Sequence, residues 1–138
     1  LTRRAIRWHR DRQAADVDDI LDILGEETLT QRPPIPLPAD PRVKFLDTVG
    51  SICEEARRMA HCVATYSSNA VRGECYLFHI QPGCEGATIE VGQDGQVRQA
   101  YGPKNHRNQA CRIGSRLLAV WGAGFSRDLP TEFQRSVG

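Results

Sequence analysis

CYLFHIQPGCEGATIEVGQDGQVRQAY, residues 75–101, carries the strongest structural signal in the sequence. Within it, residues 75–81, 87–91 and 96–101 form three runs whose side chains divide into two alternating sets, and this period of two predicts three β-strands. The dipeptide Asp94–Gly95 is typical of a tight hairpin turn. The stretch therefore predicts an antiparallel meander.

The first of these runs sorts its side chains onto two faces. Tyr76, Phe78 and Ile80 share one face, which is apolar and suits a core. His79 belongs to the opposite face. If the apolar face points to the core, we expect His79 to face solvent or a cleft.

Helical patterns flank the meander. In residues 51–60 (SICEEARRMA), Ile52, Ala56 and Met59 recur at helical spacing, and a pause near His61 precedes a second helical stretch. Further helices are predicted over 2–15 and 17–24 and from Asn105 to about Trp121, and a fourth strand over 43–46. This order predicts an α+β domain with helices packed on one face of a small antiparallel sheet of three to four strands.

The chain length is typical of one domain with one core. Its organisation is predicted as a helical lead segment (1–31), a proline-rich connector (32–42), an α+β core (43–122) and a loose tail (123–138). The connector contains RPPIPLPADP, which cannot form a helix and favours extended backbone.

Composition narrows the class of protein. There are five cysteines, an odd number, and no CxxC motif, so we expect a cytoplasmic protein with free thiols. No apolar run approaches the roughly 20 residues of a membrane span, so we expect no membrane association. No Walker A or GxGxxG loop occurs, and the cysteine spacing lacks the short pairs of a zinc site, so we expect no cofactor and no metal. Nothing in the sequence predicts the oligomeric state.

Charge is segregated along the chain, although the formal net charge is only +1. Residues 1–12 contain five arginines, and residues 96–127 contain six bases and no acid, whereas residues 16–27 contain six acids and no base. This pattern predicts a basic face, unless the acidic stretch folds against the basic ones. Arg3, Arg7 and Arg10 share a helix face that suits contact with DNA or a partner, although a solvated helix would have the same pattern.

The segment RMAHCVATYS, residues 58–67, contains candidate reactive groups. Cys62 and Tyr66 are four residues apart and share a helix face, whereas His61 points about 100° away. His61 is therefore poorly placed to be the base for Cys62, and His79 is the more plausible imidazole. Alternatively, Cys62 is a small buried apolar residue and His61 is bonded to the backbone.

A second candidate site lies in QAYGPKNHRNQ, residues 99–109, where a turn leads into a helix N-terminus. Lys104 and Arg107 together with backbone N–H groups would suit a phosphate or carboxylate. Gln99 and Asn105 add hydrogen-bonding side chains to the same corner. The alternative is that these bases are solvated surface residues.

Residues 45–121 resemble the PcfJ-like protein family. The resemblance consists of a Met-x-His-Cys-Val segment followed by Tyr, an Ala-Thr strand and a Gln-x-x-Gly-x-x-Asn corner, which correspond here to Met59, His61, Cys62, Val63, Tyr66, Ala87, Thr88, Gln99, Gly102 and Asn105. The family usually has glycine after His-Cys-Val, where this chain has Ala64.

The resemblance implies an accessory domain associated with plasmid or mobile-element DNA processing that binds DNA or a relaxosome-type partner. An alternative is an enzyme acting on a nucleotide-like or phosphorylated substrate through a pocket of Cys62, His61, Tyr66, Gln99 and Asn105. In a third alternative, the same polar residues only brace the fold.

Overall fold

The computed structural model describes residues 13–61 and 63–137, and for 13–16 and 126–137 it describes the backbone alone. Its helices are α1 (Gln13–Leu24), α2 (Val49–Met59), α3 (Ser67–Val71) and α4 (Gln109–Val137), and its strands are β1 (Val43–Phe45), β2 (Cys75–Ile80), β3 (Ala87–Gly92) and β4 (Val97–Tyr101). Short 3₁₀ turns occupy Val63–Tyr66 and Pro103–Asn105.

The four strands form one antiparallel sheet in the order β1–β2–β3–β4. The predicted α+β class, the meander and the fourth strand are therefore confirmed. The hairpin between β3 and β4 turns at Gly95, whose φ of +82° is accessible to glycine at little cost. The helices pack against this sheet.

Helices cover both faces of this sheet, which differs from the prediction that they pack on one face only. On one face Phe78 and Ile80 share an apolar cluster with Leu118 of α4. On the other face Leu77 packs in a second cluster with Ile52 of α2, and α1 joins that cluster. Because both faces are covered, every residue of β2 and β3 is buried. The expectation that His79 faces solvent or a cleft is therefore wrong.

Helix α2 begins and ends at recognisable signals. Thr48 and Ser51 form a reciprocal capping box at its N-terminus. Ala60 takes the left-handed conformation at its C-terminus, with φ of 54°. The predicted pause near His61 is confirmed, and the chain re-enters helical geometry at Val63.

Helix α4 differs from the prediction at both ends. It begins at Gln109, where the Asn108 side chain accepts a hydrogen bond from the Cys111 N–H at 3.0 Å, so Asn108 rather than Asn105 caps it. It continues past Trp121, and Phe125 is buried against Tyr76. Residues 123–125 are therefore part of a packed helix rather than of a loose tail.

The proline-rich segment forms neither helix nor strand before Val43, and it packs on the domain. Ile35 and Leu37 pack against the apolar cluster beneath α4. The Trp121 indole N–H donates a hydrogen bond to the Pro36 carbonyl at 2.8 Å. These contacts hold residues 35–37 against α4.

Within residues 13–61 and 63–137, no helix combines the length and apolar character that crossing a membrane requires. Over the same residues, no three His, Cys, Asp or Glu side chains are grouped so that they could hold a metal ion.

Candidate functional site

Polar side chains line the sheet face beneath α2. The strand register places His79 opposite Thr88 and Glu90 opposite Gln99, and because strand side chains alternate, all four point to the same face. Helix α2 and the following turn cover this face with Glu55, His61 and Tyr66. We call these seven residues the polar layer: Glu55, His61, Tyr66, His79, Thr88, Glu90 and Gln99.

Glu55 is the centre of the polar layer and is fully buried. Its Oε2 accepts hydrogen bonds from the Thr88 hydroxyl and from His79 Nδ1, the latter at 2.6 Å. Its Oε1 accepts from the Arg58 guanidinium at 2.5 Å. A buried carboxylate needs partners of this kind, because an unpaired charge inside a protein is costly.

His79 is the cationic partner of Glu55. Burial lowers the pKa of His79, but the hydrogen bond and charge of Glu55 outweigh it, and the pKa rises above its ordinary value. Burial likewise raises the pKa of Glu55, but the bonds from His79 and Thr88 outweigh it, and that pKa is lowered. Since His79 Nε2 also donates to Gln81 Oε1 at 2.8 Å, the imidazolium uses both nitrogens. His79 is therefore not arranged as a general base.

His61 is bonded on both sides as well. Its Nε2 lies 2.9 Å from Thr88 Oγ1, and the Val63 N–H donates to its Nδ1 at 3.4 Å. Because the Thr88 hydroxyl gives its proton to Glu55, His61 Nε2 must donate to Thr88. Because His61 Nδ1 accepts from the Val63 N–H, it carries no proton, and the ring is neutral. Burial, the largest cause, lowers the pKa of His61 to about 4. His61 is thus held as one neutral tautomer.

The second half of the polar layer joins Tyr66 to β4. The Gln99 amide nitrogen donates to the Tyr66 hydroxyl at 3.2 Å and to Glu90 at 2.7 Å. Tyr66 and Gln99 are only 1% and 9% exposed. The structure therefore brings these two predicted residues together as neighbours in the interior.

The other candidates of this group are placed as follows. Cys62 lies outside the described residues, as do Arg3, Arg7 and Arg10. Asn105 is half-buried in the turn after β4, with a φ of 64°, and this turn contacts α2.

An open groove lies on the other side of the sheet, at the N-terminal part of α4. Its volume is ≈ 570 Å³. We call it the arginine groove, and its lining residues are Ala100, Arg107, Asn108, Cys111, Arg112, Ser115 and Arg116. No described acidic residue is among them. The groove therefore collects positive charge without a carboxylate to neutralise it.

The three arginines of the groove reach it from two segments. Arg112 and Arg116 are four residues apart on α4 and so lie on one face of the helix. Arg107 comes from the loop before α4, and its guanidinium lies over the Tyr101 ring, 5.5 Å from the ring centroid. All three are exposed, and none forms an ion pair with a described carboxylate.

The predicted anion corner is only partly the site that the structure forms. Arg107 lines the groove, whereas Lys104 and Asn105 occupy the preceding turn. Two of the amides at the start of α4 are already used, since Gln109 N–H donates to Glu85 and Cys111 N–H to Asn108. The arginine side chains, rather than helix amides, are the groups that this corner offers to an anion.

Sequence reasoning missed Arg112 and Arg116 as site residues and Glu55 as the centre of the polar layer. The arginines had a signal, since their spacing of four places them on one helix face. Glu55 also had one, because it falls three residues after Ile52 and four before Met59, on the apolar stripe. A carboxylate on such a stripe indicates a buried partner.

The fold and site belong to an α+β domain with a buried polar layer and an open basic groove. The sequence profile described as PcfJ-like protein matches residues 36–112, which is more than half of the chain. This chain is a member of the PcfJ-like protein family. No curated protein and no solved structure matches it significantly. The matched range includes the whole polar layer together with Arg107 and Arg112, whereas Arg116 lies just beyond it.

Proposed function

We propose that this chain is a cytoplasmic accessory module of plasmid or mobile-element DNA processing that binds the phosphate backbone of nucleic acid through the arginine groove. One observation carries the proposal. Arg107, Arg112 and Arg116 converge from two segments on one concave surface, and no described carboxylate lines it. Lys104, exposed on the turn before the groove, adds a peripheral cation.

The chemistry of the groove suits phosphate. Guanidinium groups are planar, remain charged at all physiological pH values and donate two parallel hydrogen bonds to a phosphate. Each phosphate that such a group neutralises releases condensed counterions, so binding weakens as salt rises. Three arginines give a modest affinity that other contacts along a longer nucleic acid would increase.

The polar layer has a different role in this proposal. Glu55 bonds α2 to His79 of β2 and Thr88 of β3. In the segment after α2, His61 bonds to β3 and Tyr66 bonds to Gln99 of β4. We assign His61, Tyr66 and Gln99 to bracing the sheet whose β4 edge supports the groove. The enzymatic alternative would require His61 or His79 to give up an existing hydrogen bond before acting as a base.

The test is fluorescence anisotropy of a labelled 20-nucleotide DNA, measured from low to moderate salt. A triple variant, with Arg107, Arg112 and Arg116 each changed to Gln, should lose most binding. The logarithm of the association constant should also fall less steeply with the logarithm of the salt concentration. The magnitude of this slope should decrease by about 2 to 3, since each phosphate contact contributes about 0.7 to 0.9.

The matched control is Arg72→Gln, which removes an exposed arginine that follows α3 and pairs with Glu74 at 2.9 Å. We expect this variant to bind like the parent protein. Absence of binding at low salt, or equal binding by the triple variant, would refute the proposal.

A further inference from the structure

Arg107 differs from the other two arginines of the groove in its support. Its guanidinium lies over the ring of Tyr101, the last residue of β4. Tyr101 is half-buried and packs against the cluster beneath α2. Because an aromatic ring underlies it, Arg107 is held in place more firmly than an arginine that extends into water.

The groove is also concave. Ala100 and Cys111, which are only 8% and 4% exposed, form its floor, and arginines form its walls. Its volume of ≈ 570 Å³ falls in the range of sites for small ligands. Duplex DNA presents its phosphates on a rigid convex surface and would touch only the rim. A flexible single strand can place a sugar and phosphate inside.

We infer that the arginine groove takes an unpaired strand of nucleic acid in preference to a duplex, with a base stacked on the Arg107 guanidinium. The inference rests on the proposed function and names its substrate class. The phosphates of the strand bind Arg112 and Arg116. The base packs on the guanidinium face that Tyr101 does not cover.

The stacking step is what selects the single strand. Unpaired bases stack on aromatic rings and on arginine planes, whereas the faces of bases in a duplex are covered by their neighbours. Stacking tolerates any base, so the groove should bind without marked sequence preference. The Tyr101–Arg107 pair would thus supply a base contact beside two phosphate contacts.

The experiment compares three probes by anisotropy on the intact chain: a 20-nucleotide oligothymidine, the duplex of the same length, and an abasic 20-mer. We expect the oligothymidine to bind at least tenfold more tightly than the duplex and about fivefold more tightly than the abasic strand. Arg107→Lys keeps the positive charge but loses the planar guanidinium on which a base can stack. This variant should therefore bind the oligothymidine with nearly the same affinity as the abasic strand.

Two further variants make the comparison specific. Tyr101→Leu removes the ring beneath Arg107 and should reduce the same preference for bases. Arg116→Lys should weaken the binding of all three probes by the same factor and leave the ratios of their affinities unchanged. Circular dichroism checks that each variant is folded.

The outcomes separate the two proposals. Duplex binding as tight as single-strand binding, or equal affinity for the abasic strand, would overturn the single-strand inference while leaving backbone binding intact. An Arg107→Lys variant that behaves like Arg116→Lys would also overturn it. Failure of all three probes to bind would overturn the proposed function itself.

Discussion

The polar layer and the arginine groove both contain clustered charged residues, but they use them in opposite ways. In the polar layer Glu55 is fully buried and accepts hydrogen bonds from Arg58, His79 and Thr88. In the groove, Arg112 and Arg116 are exposed and have no described carboxylate opposite them. Charge that is buried and paired holds the fold together, whereas charge that is exposed and not neutralised is available to a ligand.

The largest expected effect is on the polar layer. Glu55→Ala leaves the His79 imidazolium and the Thr88 hydroxyl without their acceptor, so we expect a loss of about 3–5 kcal/mol in the free energy of unfolding. Urea denaturation measures it. Glu54→Ala, an exposed neighbour on the same helix, should change the free energy by less than about 0.5 kcal/mol. A loss under about 1 kcal/mol for Glu55→Ala would contradict a bracing role.

The second-largest expected effect is the change in the free energy of unfolding with pH that His61 causes. Its pKa is about 4 in the folded chain against an ordinary 6.5, so between these values the unfolded chain binds the proton and the folded chain does not. His61 therefore costs stability progressively as pH falls from 6.5 to 4, by roughly 3 kcal/mol in total. His79 acts in the opposite sense, because its raised pKa contributes stability below 6.5 that is lost as pH rises through the folded pKa.

The His61 contribution is isolated by comparing the parent protein with His61→Asn in urea denaturation at pH 7 and pH 4. Glu55 and His79, which face His61, remain in both proteins. We expect the stability advantage of the parent protein to shrink by a few kcal/mol at pH 4. An advantage that stays constant with pH would show that His61 is not held neutral.

A smaller effect is expected at the Tyr66–Gln99 hydrogen bond. Tyr66→Phe removes the hydroxyl that accepts from the Gln99 amide, at a cost of about 1 kcal/mol. A double-mutant cycle with Gln99→Leu should give a coupling of about 0.5–1.5 kcal/mol, since the two side chains are in direct contact. Additive losses would mean that this bond does not tie Tyr66 to β4.

The smallest effect on stability is expected for the arginine groove. The triple variant of Arg107, Arg112 and Arg116 to Gln should change the free energy of unfolding by less than about 0.5 kcal/mol, because the three side chains are exposed. Urea denaturation measures this change beside the binding assay. A loss of 2 kcal/mol or more would remove the distinction between the two regions.

Some features of the fold could be read from local sequence. The strands follow from the alternation in residues 75–101, and the end of α2 follows from the pause in its pattern near His61. Tyr66 and Gln99, which the sequence placed in one candidate set, form a direct hydrogen bond. Their predicted role in a pocket remains untested, and both are buried.

Other features could not be read in this way. His79 was expected at solvent or a cleft because a meander covered on one face would leave it there. The burial of His79 depends on α2 covering that face while α4 covers the other, and these helices are far from β2 in sequence. The arginine groove likewise depends on the packing of α4 against β4, which places Ala100 in the same lining as Arg112 and Arg116.

Local sequence was enough to locate the strands, the β3–β4 turn and the end of α2, because these depend on side-chain alternation and on signals among close neighbours. Which polar residues are buried and which stay open to a ligand depends instead on how the helices pack against the sheet. Burial of Glu55 and exposure of Arg112 and Arg116 result from long-range packing of helices on both faces of the sheet, which local spacing does not specify.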